Sequence, residues 1–182
     1  TDGSVSPSEV KVESVSLNQN IGFINVGETL TLTETVLPKN ATNKNIKFAW
    51  HMTIPYQGDY TASGFANYNY DQMTMYNALV NAVKKVIIPN GNFDIIIPNG
   101  TVAQNVRSSY IGDTITRDGG HMSYDFGRPM AAMGWVRALT GLSVDFVTYK
   151  PSSSMTDSQM DIIKRAIKAA QKKPYAVTKI GK

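Results

Sequence analysis

The chain changes its hydrophobic periodicity part-way along, and this change limits it to a fold with two different parts. Residues 9–17 and 29–37 largely alternate polar and apolar side chains, a pattern that predicts half-buried strands. Residues 46–52 and 93–98 are instead mostly apolar, and residues 71–86 between them carry apolar side chains at helical spacing. Strands buried on both faces are typical of a parallel sheet covered by helices. The second part is therefore predicted to be α/β.

These patterns divide the chain into three predicted segments. Residues 1–8 are polar and lack the apolar stretch of a signal peptide, so we expect a flexible leader and a trimmed N-terminus. Residues 9–45 form the predicted β segment, and residues 46–182 form the predicted α/β domain.

Two further helices are expected in the α/β domain. One follows His121 and ends at Gly141, a natural stop. Its predicted buried stripe consists of Ala132, Trp135, Val136 and Leu139. The other opens with a capping box formed by Thr156 and Gln159. Its predicted buried stripe consists of Met160, Ile163 and Ile167.

Composition excludes several classes of function. The chain has no cysteine, which rules out disulfides, thiolate metal sites and a cysteine nucleophile. No apolar run is long enough to span a bilayer, so no membrane span is expected.

The net charge of +4 comes from a basic C-terminal stretch, residues 164–182. This stretch could bind an anionic partner, but Tyr175 is the one aromatic residue among its cations. Because the lysines are not interleaved with aromatic residues as a base-stacking surface requires, we favour a solvated helix face and expect no nucleic-acid partner.

The β segment resembles the bacterial immunoglobulin-like group 2 domain. The likeness rests on residues 14–18 (SVSLN), 26–33 (VGETLTLT) and 36–44 (VLPKNATNK). It stops near Asn45, where such a domain would continue through more strands. About half of the module is therefore expected.

The rest of the chain resembles the C-terminal part of a secreted bacterial SGNH-hydrolase-like family related to carbohydrate esterases. The likeness runs from Trp50-His51-Met52-Thr53 to Pro174-Tyr175, and residues 117–123 (RDGGHMS) are its most diagnostic block. The resemblance implies a partial SGNH or flavodoxin-like parallel sheet with helices. It also implies a secreted or cell-surface protein that hydrolyses esters, and it implies no cofactor.

Asp118 and His121 are the candidate catalytic residues. With a separation of three residues on a short turn, Asp118 can accept a hydrogen bond from one ring nitrogen of His121 while the other faces a nucleophile. The alternative is that both side chains cap the following helix and bond each other. The resemblance favours the Asp–His part of a serine-esterase triad. A metal site formed with Asp125 is a further alternative.

The family places its serine in a G-D-S or G-N-S turn, which this sequence lacks. Its nearest equivalents are Gly58-Asp59-Tyr60 and Gly112-Asp113-Thr114, neither of which contains serine. Ser108, Ser109 and Ser123 are the nearby serines, and none lies on a recognisable strand-to-helix elbow. We therefore expect a truncated or internally deleted family member without a nucleophile or oxyanion hole, with little catalytic activity.

Three polar residues are candidates for binding a glycan or an acyl ester. Gln57, Asn99 and Gln104 follow predicted strand ends, where α/β sheets bind ligands. His51 lies in an apolar strand and is interpreted as a core or rim histidine, with a place in the ligand cleft as the alternative. The aromatic loop over residues 56–70 could stack on carbohydrate or pack on its own domain.

Three hypotheses of function follow from these residues. The first is an esterase-like protein whose family hydrolyses acetyl esters of glycans and which itself lacks the nucleophile. The second is a non-catalytic cell-surface or carbohydrate-binding module. The third is an artefactual joining of two partial domains, which would expose apolar surface and sheet edges.

Overall fold

The chain forms two compact units, residues 1–46 and 47–182. The structure is a computed structural model that describes residues 8–19, 30–150 and 154–181. The predicted boundary lies one residue before the observed one. Most of the predicted leader and residues 26–29 of the immunoglobulin-like pattern lie outside the described residues.

The first unit contains an antiparallel strand pair. β1 (Ser14–Leu17) pairs with β2 (Glu34–Leu37), with Ser14 opposite Leu37 and Leu17 opposite Glu34. Both strands are shorter than predicted, and the prediction that they are half-buried is wrong. Val15, Leu17 and Leu37 are 37–48% exposed, because within the described residues this strand pair packs on no second layer that could bury a face. The immunoglobulin-like resemblance stays a prediction.

The second unit contains a short parallel sheet, which confirms the predicted α/β class. β3 (Ala49–His51) pairs with β4 (Ile95–Ile97) so that His51 lies opposite Ile97 at the carboxyl ends of the strands. Both strands lie inside the predicted apolar runs. Parallel pairing needs a long crossover, and the residues between the strands provide it.

The crossover contains the predicted helix, which runs further than its pattern indicated. Asp71 caps α1 (Gln72–Ala82) by accepting a hydrogen bond from the Thr74 amide at 2.6 Å. The helix continues through a π-helical turn, Val83–Ile87, into α2 (Ile88–Asn90). Gly91 ends it with φ +74°, a backbone conformation that favours glycine.

α3 (Asn99–Arg107) follows β4 directly and was not predicted. Its residues 99–106 are all buried, although five of the eight are polar or glycine. Asn105 is held by hydrogen bonds: its amide group donates to the Ala166 carbonyl at 3.1 Å and accepts from the Thr178 amide at 2.7 Å. Asn99 Oδ1 and Gln104 Nε2 are buried and have no hydrogen-bond partner among the described residues.

α4 (Gly127–Thr140) forms where predicted, but the predicted buried face is wrong. Met130, Ala131, Met133 and Gly134 are buried. The predicted stripe faces solvent instead: Ala132 is exposed, and Trp135, Val136 and Leu139 are 37–49% exposed. The small side chains on the buried face allow α4 to approach α3 closely. Gly141 ends the helix at φ +71°, as predicted.

α5 (Asp157–Lys172) confirms the predicted capping box and buries the predicted apolar residues. The Thr156 hydroxyl accepts from the Gln159 amide at 3.2 Å, and the Gln159 side chain accepts from the Thr156 amide at 2.9 Å. Its buried face packs on α3 in the main core. Two of its cations form ion pairs at 2.8 Å, Arg165 with Asp161 and Lys168 with Asp145. Over the described ranges, no helix is long and apolar enough to cross a membrane.

Candidate active site

Asp118 and His121 form a tight turn held by hydrogen bonds to one carboxylate. The Asp118 Oδ1 atom accepts from the amides of Gly120 at 3.0 Å and His121 at 2.7 Å. The Oδ2 atom accepts from His121 Nδ1 at 2.8 Å. A backbone bond from Arg117 N to His121 O at 2.9 Å closes the turn. The carboxylate therefore fixes both the backbone of the turn and the orientation of the imidazole ring.

These bonds keep Asp118 ionised. Its pKa falls to about 2, chiefly because the His121 amide donates to the carboxylate, with further bonds from the His121 side chain and the Gly120 amide. At neutral pH the carboxylate is therefore a permanent acceptor for the proton on His121 Nδ1.

Two glycines are required in this turn because the ring of Tyr60 lies against them. Gly119 has φ +87°, and a Cβ atom there would lie 2.4 Å from Tyr60 Cδ2. A Cβ atom on Gly120 would lie 3.1 Å from the Tyr60 hydroxyl. The Gly-Gly pair thus allows the Tyr60 ring to pack directly against the turn.

The His121 side chain is 68% exposed. Within the part of the chain that the structure describes, its Nε2 atom has no hydrogen-bond partner. An imidazole held through Nδ1 with a free, exposed Nε2 can take a proton from a hydroxyl group placed next to it.

The alternative that this turn caps α4 is wrong. Ser123 performs that role: its hydroxyl accepts from the Gly127 amide at 2.9 Å, and its carbonyl accepts from the Arg128 amide at 2.9 Å. Asp118 makes its bonds within the turn and to Arg117.

The nearby serines all bond the backbone. Ser108 and Ser109 each donate to a carbonyl one helical turn back at 2.6 Å, and Ser123 caps α4. The two glycine-aspartate turns are also structural, since the Gly58 amide donates to Asp113 Oδ2 at 2.8 Å. None of these hydroxyls bonds His121.

Gln57 lies beside the candidate site. Its backbone amide donates to the Gly119 carbonyl at 2.8 Å, and its side chain accepts a hydrogen bond from the Thr116 hydroxyl. Gln57 is only half-buried, so it can reach a ligand next to His121.

Asn99 and Gln104 lie in the interior instead. They are 0% and 4% exposed. The Asn99 Nδ2 atom donates to the Ala131 carbonyl at 3.1 Å and to His51 Nε2 at 3.0 Å. The structure thus brings only Gln57 of the three predicted ligand-binding residues to the Asp118–His121 turn.

His51 is a half-buried histidine that bonds Asn99 and packs on Trp135, with 5.3 Å between ring centroids. Burial lowers its pKa, and its Nε2 accepts from an amide group that also bonds a carbonyl. Both observations favour a neutral ring. These contacts fit the interpretation as a core or rim histidine.

A network that the sequence patterns did not predict anchors the loop before the site. Arg107, whose side chain is 5% exposed, forms an ion pair with Asp113 at 2.6 Å and donates to the Pro55 carbonyl at 3.1 Å. Asp113 Oδ2 also accepts from Gln72 Nε2 at 2.9 Å. The sequence patterns indicate Gly112-Asp113 only as a turn without serine. The network holds the Gln57 loop next to the Asp118–His121 turn.

Two arginines pack on Tyr124 beside the Asp118–His121 turn. The Arg117 guanidinium lies 4.8 Å from the ring centroid and donates to the Tyr124 hydroxyl. The Arg128 guanidinium lies 4.2 Å from the same centroid. Arg117 also pairs with Asp118 Oδ2 at 3.6 Å. The sequence patterns do not predict this cluster: Arg117 belongs to the RDGGHMS block, but no spacing indicates that it and Arg128 pack on Tyr124.

The metal alternative is not supported. Among the described residues, no three His, Asp or Glu side chains converge as metal ligands, so Asp118, His121 and Asp125 do not form such a set.

Comparisons with known proteins place the chain in a family. A family model described as "Domain of unknown function (DUF4886)" matches residues 11–170. A crystal structure of a DUF4886 family protein from Bacteroides uniformis ATCC 8492 is 36% identical, with a TM-score of 0.71 over 76% of this chain. The chain spans about half of that relative, 52% of its length. No curated protein matches. This chain belongs to the DUF4886 family.

Proposed function

We propose that Asp118 and His121 are the Asp–His part of an SGNH-type serine esterase site in a secreted or cell-surface protein. The observation that carries the proposal is the 2.8 Å bond between Asp118 Oδ2 and His121 Nδ1 in a turn that leaves Nε2 exposed. The reaction is hydrolysis of acetyl esters on glycans, the activity that the resemblance implies.

In this reaction His121 Nε2 takes the proton of a serine hydroxyl as the oxygen attacks the ester carbonyl. Asp118 stabilises the imidazolium ion, and His121 then returns the proton to the leaving alcohol. A water molecule, activated by the same histidine, releases acetate from the acyl-serine.

This chain supplies the base, but none of the three described serines considered above is suited to the attack. The sequence has no G-D-S or G-N-S turn, and the hydroxyls of Ser108, Ser109 and Ser123 bond the backbone. We therefore propose that the chain alone hydrolyses esters no faster than background.

The first experiment tests this chain. We expect no labelling by a fluorophosphonate probe and background hydrolysis of p-nitrophenyl acetate. Hydrolysis that disappears in His121→Ala but persists in His51→Ala, which replaces the other histidine of the chain, would show that a nucleophile is present.

The second experiment tests the reaction on the Bacteroides uniformis relative, of which this chain spans about half. We expect the probe to label one serine there, and we expect labelling to fall at least 100-fold when the histidine at the place of His121 becomes alanine. Absence of labelling, labelling that survives the change, or absence of that histidine would overturn the esterase proposal.

A second candidate function is non-catalytic glycan binding. It is favoured by the aromatic loop next to the turn, where Tyr56 packs edge-on against Tyr60 at 5.0 Å and Tyr70 is 51% exposed. Glycan-array binding that is lost in Tyr56→Ala, Tyr68→Ala or Gln57→Ala would support it. Absence of binding across a broad panel would exclude it.

A further inference from the structure

Arg128 occupies an electrostatically unfavourable position without an ion pair to compensate for it. It is the second residue of α4, whose first turn contains no acidic residue. A cation there faces the positive end of the helix dipole. Among the residues that the structure describes, no carboxylate lies within ion-pair distance of Arg128, whose side chain contacts the Tyr124 ring.

Arg117 brings a second cation to the same ring. It packs on Tyr124 and bonds its hydroxyl, and it shares the Asp118 Oδ2 atom with His121. The guanidinium N–H donors of Arg117 therefore already contact the Tyr124 hydroxyl and the Asp118 carboxylate. Among the described residues, the guanidinium N–H donors of Arg128 have no hydrogen-bond partner, and their planar arrangement matches a carboxylate with two bonds.

The nearby carboxylates do not neutralise Arg128. Asp118 already serves His121 and Arg117. Asp125, next to Tyr124 in the chain, has the Ser154 hydroxyl 3.5 Å from its carboxylate and forms no ion pair with either arginine. Tyr124 is 61% exposed, so the cluster is open to a ligand that approaches His121.

We propose that Arg128, assisted by Arg117 and supported by Tyr124, binds a carboxylate of the ligand at the Asp118–His121 turn. The substrate class follows if the proposed esterase function holds, on which it rests. The ester then lies on a sugar that also carries a carboxylate, such as a uronic acid. The carboxylate then orients the sugar so that its ester faces His121.

The test uses the whole chain and two matched probes, methyl glucuronide and methyl glucoside, which differ in the carboxylate. Nitrogen-edited NMR follows the Arg128 Nε–H signal and the His121 amide. We expect saturable shifts with the glucuronide at millimolar concentration and none with the glucoside.

Substitutions then locate the site. Arg128→Gln weakens glucuronide binding at least fivefold, and Arg128→Lys has an intermediate effect because it keeps the charge but loses the planar donor edge. Arg165→Gln removes the same charge from an arginine paired with Asp161 on α5, and it changes affinity less than twofold. Equal binding of both probes, or equal effects of the Arg128 and Arg165 substitutions, would overturn the proposal.

The outcome is independent of the esterase tests. If glucuronide binds at Arg128 but the relative has no reactive serine, the proposed carboxylate site stands and the proposed esterase function is rejected. A reactive serine without glucuronide binding here would do the reverse.

Discussion

Among the described glycines, Gly134 is the one at which an added Cβ atom would lie closest to another heavy atom. A Cβ atom on this α4 residue would lie 2.0 Å from Asn99 Oδ1 and 3.1 Å from Asn99 Cγ, whereas ordinary contacts begin at 3.4 Å. Asn99 is fully buried, so its side chain cannot move into solvent. Gly134→Ala therefore forces either the Asn99 amide or α4 itself to shift by more than 1 Å.

Opposing effects set the size of this change. Overpacking a dense core costs about 1–3 kcal/mol. Loss of the bonds from Asn99 Nδ2 to Ala131 and His51 costs about 1–3 kcal/mol more, because the partners are partly buried. Alanine in a helix is better than glycine by about 1 kcal/mol. We expect a net loss of about 3 kcal/mol in the free energy of unfolding.

Urea unfolding followed by tryptophan fluorescence measures this loss. Both tryptophans, Trp50 and Trp135, lie in the second unit, so the signal reports that unit alone. Gly64→Ala is the matched control, since no heavy atom lies within 4 Å of its added Cβ. Its free energy of unfolding should change by less than about 0.5 kcal/mol.

A double mutant identifies the cause. In an Asn99→Ala background the clash is absent, so Gly134→Ala should cost at least about 2 kcal/mol less than in the parent chain. If Gly134→Ala leaves the parent chain as stable or more stable, or if the two substitutions are additive, the close approach of Asn99 to α4 is refuted.

Two further predictions concern the Asp118–His121 turn. Gly119→Ala should destabilise the second unit by about 2 kcal/mol more than Gly112→Ala, measured by the same urea assay. Both glycines have positive φ, but only at Gly119 does the new Cβ collide with Tyr60, at 2.4 Å; equal effects would contradict that contact. The pKa of Asp118 is depressed to about 2 from an ordinary value of about 3.9. The contribution of Asp118 to stability is therefore complete above that ordinary value and is lost as pH falls through 2. The chemical shift of the His121 amide should change over the same pH range. A midpoint of that change near pH 4 would contradict the bonds to the carboxylate.

The parts of the fold that sequence analysis predicted correctly are those that depend on local pattern. The capping box of Thr156, the stop at Gly141 and the α/β alternation all arise from residues close in sequence. α3 was missed because its buried face contains Asn99, Thr101 and Asn105 in place of apolar residues. Their burial depends on partners far away in the chain, which no periodicity reveals.

The candidate site divides in the same way. Asp118 and His121 could be paired from their spacing, whereas the Arg107–Asp113 ion pair and the Tyr60 support for the turn join distant segments. The predicted face of α4 was wrong because Trp135, Val136 and Leu139 are apolar yet face solvent. Hydrophobicity indicates which residues can be buried, but the neighbouring helices decide which of them are.

The contacts described for the Asp118 carboxylate all come from residues at most three positions away in the chain. They are the amides of Gly120 and His121, the His121 imidazole and the Arg117 guanidinium. The bonds on this carboxylate are therefore encoded in one short stretch of sequence. Such a stretch closes on the timescale of a small loop, long before distant strands meet. We therefore expect the bonds between Asp118 and His121 to form early in folding, before Tyr60 and Gln57 reach the turn from a distant part of the chain.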